Sequence, residues 1–261
     1  MSSGGYAGRL APSPTGYLHL GHAQTFLLAQ KRARDRQGKL FLRVEDLDAI
    51  RCKPEFVSAM LDDLKWAGLK WAGDAVYQSQ RDYSAVFETL QKSGAIYPCC
   101  CSRKDVLTSA LAPHTDDPIY PGTCRNRVSD GSQENWRLRV PDGEEICFND
   151  QRLGLQRAIA GRDFGDFIVW RKEGLPAYEL AVVVDDAAMG ITEVVRGEDL
   201  VKSTFRQLLV HWALGIAPPE YYHTPLIFDE NGRRLAKRDG SFTLREMRER
   251  GLPPPQLVSD S

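Results

Sequence analysis

A loop with two prolines and a glycine, Ala11-Pro-Ser-Pro-Thr-Gly16, stands between a strand-like run at residues 6–10 and a stretch of helical spacing that begins at Gly21. Proline lacks an amide donor and holds φ near −65°, so neither a helix nor a paired strand continues through such a loop. The segment therefore reads as strand, loop and helix, the unit from which α/β sheets are built. His19-Leu-Gly-His22 falls where the loop meets the helix. A helix N-terminus offers unpaired N–H groups and the positive end of a dipole, which suit a phosphate. Gly21 lets a ligand approach the backbone, and two imidazoles can donate hydrogen bonds as charge shifts in a transition state. Taken alone, four such residues look no different from two surface histidines at a helix start.

The rest of the chain continues the alternation. The first helix carries Ala23, Phe26, Leu27 and Gln30 at helical spacing, and Gly38 is expected to end it. Leu40, Leu42 and Val44 alternate as a strand with Glu45-Asp-Leu-Asp48 at its end. Pro54 opens a helix with Phe56, Met60, Leu61 and Leu64 on one face, and Tyr83, Val86, Phe87 and Leu90 mark another, closed by Gly94. Residues 99–165 change character, with clustered cysteines, several prolines and a strand at Trp136–Val140, and read as an insertion. Leu180–Val184 reads as a buried strand and Ile191–Val195 as another, followed by a helix over Thr204–Trp212 that ends near Gly215. Asn231-Gly232 after Leu226-Ile-Phe228 signals a hairpin turn, and a short helix is expected around Leu244 and Met247. The pattern predicts an α/β fold with a mainly parallel sheet, split by the insertion.

Composition narrows the classes. The 261 residues are 42% hydrophobic and 26% charged, ample for a buried core, and the net charge of −1 gives no global field for nucleic acid. A local patch exists: residues 231–250 hold seven basic residues (Arg233, Arg234, Lys237, Arg238, Arg245, Arg248 and Arg250) against three acidic ones. Helical i,i+3 and i,i+4 pairing accounts for Arg245 to Arg250 equally well. The longest apolar run, Leu180–Val184, is too short to span a membrane, and MSSGGYAGRL lacks a signal-peptide core, so the expected location is cytoplasmic, with no membrane partner.

Four of the six cysteines, Cys99, Cys100, Cys101 and Cys124, fall together, with Cys52 and Cys147 apart. In a reducing compartment this suggests metal before disulfides. Structural zinc takes four ligands in a tetrahedron. Alternation in a tight turn makes Cys99 and Cys101 the natural pair, with Cys100 pointing away and Cys124 as a third ligand. General metal chemistry offers His114 as the fourth; burial of the cysteines without metal is the alternative.

Five stretches in order carry a resemblance: Arg9-Leu-Ala-Pro-Ser-Pro-Thr-Gly-Tyr-Leu-His-Leu-Gly-His22, Leu42-Arg-Val-Glu-Asp-Leu-Asp48, Tyr178-Glu-Leu-Ala-Val-Val-Val-Asp-Asp186, Gly190-Ile-Thr-Glu-Val-Val-Arg-Gly-Glu-Asp199 and Arg234-Leu-Ala-Lys-Arg238. The set resembles class I glutamyl-tRNA synthetases, whose signatures are "HIGH" and "KMSKS", and among them the truncated glutamyl-Q tRNA(Asp) synthetase family. The second signature departs at Arg234, Ala236 and Arg238 and keeps Lys237. The Ala236 change removes a hydroxyl and its hydrogen bond; arginine at 238 is usual in glutamyl enzymes.

The resemblance implies a Rossmann-type class I aminoacyl-tRNA synthetase catalytic domain with an inserted zinc-bearing subdomain. The expected division is 1–98 and 166–225 for the two halves of the catalytic domain, 99–165 for the zinc-bearing acceptor-binding insertion, and 226–261 for a segment with the KMSKS-like loop and a short helix, without an anticodon-binding domain. It implies ATP as substrate with Mg2+, contacted by His19, Gly21, His22 and Lys237, of which His19, His22 and Lys237 are catalytic. It implies a glutamate pocket of Arg9, Leu10, Ala11, Pro12, Ser13, Glu45, Tyr178 and Arg196. Arginine suits this ligand because its fork grips a carboxylate bidentately, and Glu45 matches the acid that receives the α-ammonium. For the zinc site it implies Tyr120 as the fourth ligand, from the Tyr-x-Gly-x-Cys arrangement Tyr120-Pro-Gly-Thr-Cys124.

The expected reaction is ATP-dependent activation of glutamate to glutamyl-adenylate and transfer to queuosine in the anticodon loop of tRNA-Asp, by a monomer. The rival expectations are a C-terminally shortened glutamyl-tRNA synthetase that charges tRNA-Glu, a nucleotidyltransferase with the same histidine loop, and an inactive RNA-binding paralogue.

Overall fold

The structure is a computed structural model that describes residues 5–102, 104–106, 118–226 and 243–257. Along the chain run β1 (Ala7–Leu10), α1 (Leu20–Asp35), β2 (Lys39–Val44), α2 (Pro54–Trp66), β3 (Val76–Tyr77), α3 (Ser84–Lys92), β4 (Ile96–Cys99), β5 (Asn135–Leu138), β6 (Glu145–Asp150), β7 (Gly154–Ile159), β8 (Phe167–Arg171), β9 (Leu175–Pro176), α4 (Tyr178–Ala188), β10 (Glu193–Gly197), α5 (Val201–Leu214), β11 (Glu220–Thr224) and α6 (Leu244–Glu249). The chain divides into two compact units, one of residues 1–81, 190–200 and 219–261, the other of residues 82–189 and 201–218.

The first unit is parallel. β1 pairs with β2, β2 with β3, and β10 with β11, all in parallel register. β10 runs beside β1: the Thr192 N–H donates to the Ala7 carbonyl at 2.8 Å, and the Ala7 N–H donates to the Thr192 hydroxyl at 3.0 Å. Leu40, Leu42 and Val44 lie on one face of β2 and are buried, as their alternation leads one to expect. α1 buries Ala23, Phe26, Ala29 and Ala33. Met60 and Leu64 of α2 and Leu244 of α6 join Leu10, Leu18 and Leu42 in the core.

The end of α1 differs from expectation. The left-handed residue is Gln37 (φ 52°) rather than a glycine. The Gln37 and Gly38 amides donate to the carbonyls of Arg34 and Ala33, a Schellman closure. Gly38 is needed for another reason: a Cβ there would lie 2.3 Å from the Tyr6 carbonyl oxygen.

The second unit corrects two expectations. Leu180–Val184 is part of helix α4, not a strand. Leu180, Ala181, Val182 and Val183 are all at most 1% exposed, so this stretch of the helix is buried all round and shows no 3.6-residue period to read. The sheet there is not parallel. β4–β5, β5–β8, β8–β9 and β6–β7 are all antiparallel pairs. The β6–β7 turn is closed by Asp150, whose Oδ1 accepts the amides of Arg152 and Leu153 at 3.0 and 2.9 Å. Asp166, beside β8, is this unit's polar hub: it takes both Nε and Nη2 of Arg125 at 2.7 Å, the Val140 amide at 2.9 Å and the Tyr97 hydroxyl.

Several boundaries also move. The strand expected at Ile191–Val195 is Glu193–Gly197, and the helix expected over Thr204–Trp212 begins at Val201. The hairpin signal at Asn231-Gly232 lies outside the described residues. No described helix is long and apolar enough to cross a membrane.

Candidate active site and candidate metal centre

In the first unit the loop after β1 delivers His19 to the N-cap of α1. The His19 Nδ1 accepts the Gly21 amide at 3.1 Å, and the His22 Nδ1 accepts the His19 amide at 3.2 Å. This is a capping box made of two imidazoles, and it uses two of the donors that a helix start leaves unpaired. An Nδ1 that accepts an N–H cannot carry a proton, so in the neutral state each ring bears its hydrogen on Nε2. The rings lie 3.7 Å apart, centre to centre. Gly21 was expected to admit a ligand; a Cβ on it would sit 2.9 Å from the His19 ring, so the glycine also makes room for the histidine.

The β1–α1 loop is tied to the end of β2. The Glu45 amide donates to the Pro12 carbonyl at 3.0 Å, and the Ser13 hydroxyl donates to Glu45 Oε2 at 3.1 Å. Arg43, fully buried in β2, meets the other carboxylate oxygen at 3.1 Å. Arg9, 4% exposed in β1, donates to the Val195 carbonyl at 3.1 Å. The next residue, Arg196, is equally buried, and its Nε donates to His223 Nε2 at 3.2 Å. The Arg196 carbonyl accepts from the Thr224 hydroxyl at 3.3 Å, and Thr224 meets Thr25 of α1 at 3.1 Å. Hydrogen bonds thus link helix α1, β11 and the Arg196 segment of β10. Leu10 is wholly buried in the core with Leu18 of the β1–α1 loop, and Ala11 follows it.

Tyr178 belongs to the second unit, at the first turn of α4, and is 39% exposed. Lys237, with Arg233, Arg234, Ala236 and Arg238, lies outside the described residues. The described chain after them re-enters beside the histidine loop. Thr243 bridges His19, the Leu244 amide donates to the Leu18 carbonyl at 2.8 Å, and Arg245 donates to the Tyr17 hydroxyl at 2.8 Å. Three partners escaped the sequence reading. Arg43 was visible as a charge at an inward position of an apolar strand; His223 and Thr224 carried no local signal.

The cysteine cluster of the second unit starts at the last residue of β4. The thiol sulfurs of Cys99, Cys101 and Cys124 lie within 4.8 Å of one another. Cys101 is 3.5 Å from Cys124, and the Tyr120 oxygen is 3.4 Å from Cys101 and 3.5 Å from Cys99. Zinc with bonds of about 2.0–2.3 Å to oxygen and sulfur makes a tetrahedron whose edges are about 3.5–3.8 Å, so these four donors could hold such an ion. The Tyr120 oxygen also accepts the Cys124 amide at 3.0 Å. Arg137 donates to Cys99 at 3.2 Å and lies 3.9 Å from the Tyr120 ring centre, a cation placed to offset the charge of several thiolates.

Without metal, burial and then the neighbouring thiols push the Tyr120 hydroxyl far above its ordinary range. Burial also raises Cys101, to about 11. Burial works the same way on Cys124, but hydrogen bonds from Tyr120 and the neighbouring cysteines outweigh it and bring that thiol down to about 7. Cys100 does not simply point away: it is exposed, yet its sulfur lies 3.9 Å from Cys124. His114 lies outside the described residues.

The strand–loop–helix with its paired histidines beside a parallel sheet suits a nucleotide-binding protein, and the comparisons give its class, an aminoacyl-tRNA ligase. Residues 7–260 match the family described as "tRNA synthetases class I (E and Q), catalytic domain", and the chain belongs to that family. It is 46% identical to the glutamyl-Q tRNA(Asp) synthetase of Nitratidesulfovibrio vulgaris, covering 96% of this chain and 83% of that protein. It is 41% identical to the glutamyl-Q tRNA(Asp) synthetase of Rhodopirellula baltica, covering 96% and 82%. Among solved structures, it superposes on a glutamate tRNA ligase from Elizabethkingia meningosepticum in complex with its amino acid, with a TM-score of 0.78 and 25% identity. A glutamate-tRNA synthetase from Elizabethkingia anophelis gives a TM-score of 0.80, also at 25% identity. In each case 95% of this chain is covered, and it spans about half, 54%, of the solved chain.

Proposed function

We propose that this chain activates glutamate with ATP and transfers the glutamyl group to queuosine in the anticodon loop of tRNA-Asp. The observation that carries the reading is the pairing of two buried arginines on neighbouring strands: Arg9 is bound to the carbonyl of Val195, the residue before Arg196. An arginine fork grips a carboxylate through paired hydrogen bonds, and a dicarboxylic amino acid presents two carboxylates. Glu45, oriented by Arg43 and Ser13, is the acceptor for the ammonium group. Tyr178 enters this reading from the sequence resemblance alone.

In the activation step the glutamate α-carboxylate attacks the α-phosphorus of ATP, a mixed anhydride forms, and pyrophosphate leaves. The Nε2–H groups of His19 and His22 donate to the triphosphate, aided by Lys237. Mg2+ accompanies the triphosphate. The rate comes from in-line positioning and from charge stabilisation. In the transfer step a hydroxyl of queuosine attacks the activated carbonyl and AMP leaves. Cys99, Cys101, Tyr120 and Cys124 would hold a zinc ion that supplies no chemistry to these steps and stabilises the fold of its unit.

The similarity to proteins named glutamyl-Q tRNA(Asp) synthetase supports the queuosine acceptor. The activation step is tested by glutamate-dependent exchange of pyrophosphate into ATP without tRNA. Exchange with glutamate but not with glutamine or aspartate is the expected result; no exchange under any of these conditions would overturn the reading.

A further inference from the structure

We infer that Cys100 is an oxidisable gate on the cysteine cluster, forming a disulfide with Cys124 and so removing one donor from the metal set. The inference rests on the zinc reading above for its consequence and for the sparing of Cys101, whereas the exposure of Cys100 and its approach to Cys124 do not. Cys100 is the surplus thiol of the run Cys99-Cys-Cys101, and it is exposed, whereas Cys99 and Cys124 are buried and Cys101 is partly so. An oxidant arriving from solvent therefore meets Cys100 first. Its sulfur already lies 3.9 Å from that of Cys124, so side-chain rotation brings the pair toward the bond length of about 2.05 Å. Cys100 is not among the three thiols that lie within 4.8 Å of one another, so it can be spent without being a donor itself.

The oxidant class is a hydroperoxide. The Cys100 sulfur attacks the terminal peroxide oxygen, the O–O bond breaks, and water (from hydrogen peroxide) or the alcohol (from an organic hydroperoxide) leaves, giving a sulfenic acid. The Cys124 sulfur then attacks the Cys100 sulfur, the S–O bond breaks, and water leaves. Two thiols lose two electrons and the peroxide gains them. Once in the disulfide, the Cys124 sulfur no longer offers the anionic lone pair that binds zinc strongly, and the remaining three donors leave the tetrahedron open. Cys101 is closer to Cys124, at 3.5 Å, but a bound metal would occupy both of those sulfurs at once.

The test treats the full chain with hydrogen peroxide, maps disulfides by tandem mass spectrometry that cleaves on both sides of residue 100, and follows released zinc with a chromogenic chelator. Wild type, Cys100→Ser and Cys147→Ser are compared, the last an exposed cysteine elsewhere. The expected result is a Cys100–Cys124 bond in wild type and Cys147→Ser, with zinc leaving in step, and oxidation of Cys124 at least about tenfold slower in Cys100→Ser. Equal Cys124 oxidation in Cys100→Ser, or a first disulfide that leaves Cys100 reduced, would overturn the inference. A chain isolated without zinc would overturn the metal reading instead, while the disulfide map would still decide the role of Cys100.

Discussion

The His19 imidazole fills the space that a side chain at residue 21 would need: a Cβ on Gly21 would lie 2.9 Å from the ring. Alanine is otherwise preferred over glycine in a helix by about 1 kcal/mol, so the substitution costs function rather than fold. For Gly21→Ala the expected outcome is a displaced His19, a fall in kcat/KM for ATP of about 10- to 100-fold, and little change in Tm. A variant with normal ATP kinetics would show that the His19 position is not critical.

Arg196 is buried and bound through Nε to His223. Removing a guanidinium from a closed carboxylate site costs on the order of 2–5 kcal/mol. Arg196→Ala is therefore expected to raise the KM for glutamate about 30-fold or more while the KM for ATP stays within about threefold. Steady-state exchange kinetics decide it, and equal losses for both substrates would remove Arg196 from the glutamate site.

Asp63 is wholly buried in α2 and faces Arg248 of α6 at 3.4 Å. Burial lifts its carboxyl to about 6, above the ordinary value of 3.8, although Arg248 and Arg245 pull it down while Asp62 and Glu249 push it up. Between about pH 4 and pH 6 the folded chain holds a proton that the unfolded chain has lost, so stability falls as pH rises through that window. Asp63→Asn lacks this linkage. Urea unfolding should show the variant gaining on wild type by roughly 1–3 kcal/mol from pH 4.5 to pH 7. A pH-independent difference between the two would contradict the assignment.

A metal on the cluster would contribute directly to folding, with binding free energies of about 10–16 kcal/mol in small zinc domains. Cys101→Ser is expected to lose the bound ion and at least about 2 kcal/mol of stability, whereas Cys100→Ser keeps both. Native mass spectrometry and thermal unfolding read the two properties. One zinc retained in Cys101→Ser would exclude Cys101 as a ligand.

Much of this was legible because local chemistry dictated it. The prolines at 12 and 14 forced a loop, and the strand, loop and helix around it appear where the sequence places them. The cysteine spacing brought Cys99, Cys101 and Cys124 together. What was not legible depended on long-range packing. The Leu180–Val184 run is a helix whose first four residues are buried all round, which erases the period that distinguishes helix from strand. The antiparallel pairing of β4, β5 and β8 joins segments tens of residues apart that carry no short turn between them. His223 finds Arg196 only because β11 lies beside β10.

The central claim is the acceptor, and it is met most directly by supplying labelled glutamate and ATP with purified tRNA-Asp, with and without queuosine, and with tRNA-Glu. A site that hydrogen-bonds the hydroxyls of the queuosine ring rejects guanosine strongly, because its own polar groups would be left unpaired. The expected result is label on queuosine-containing tRNA-Asp alone, through a linkage that survives removal of the 3′-terminal adenosine. Label on the 3′ end of tRNA-Glu would contradict it and make this chain an ordinary glutamate-charging ligase.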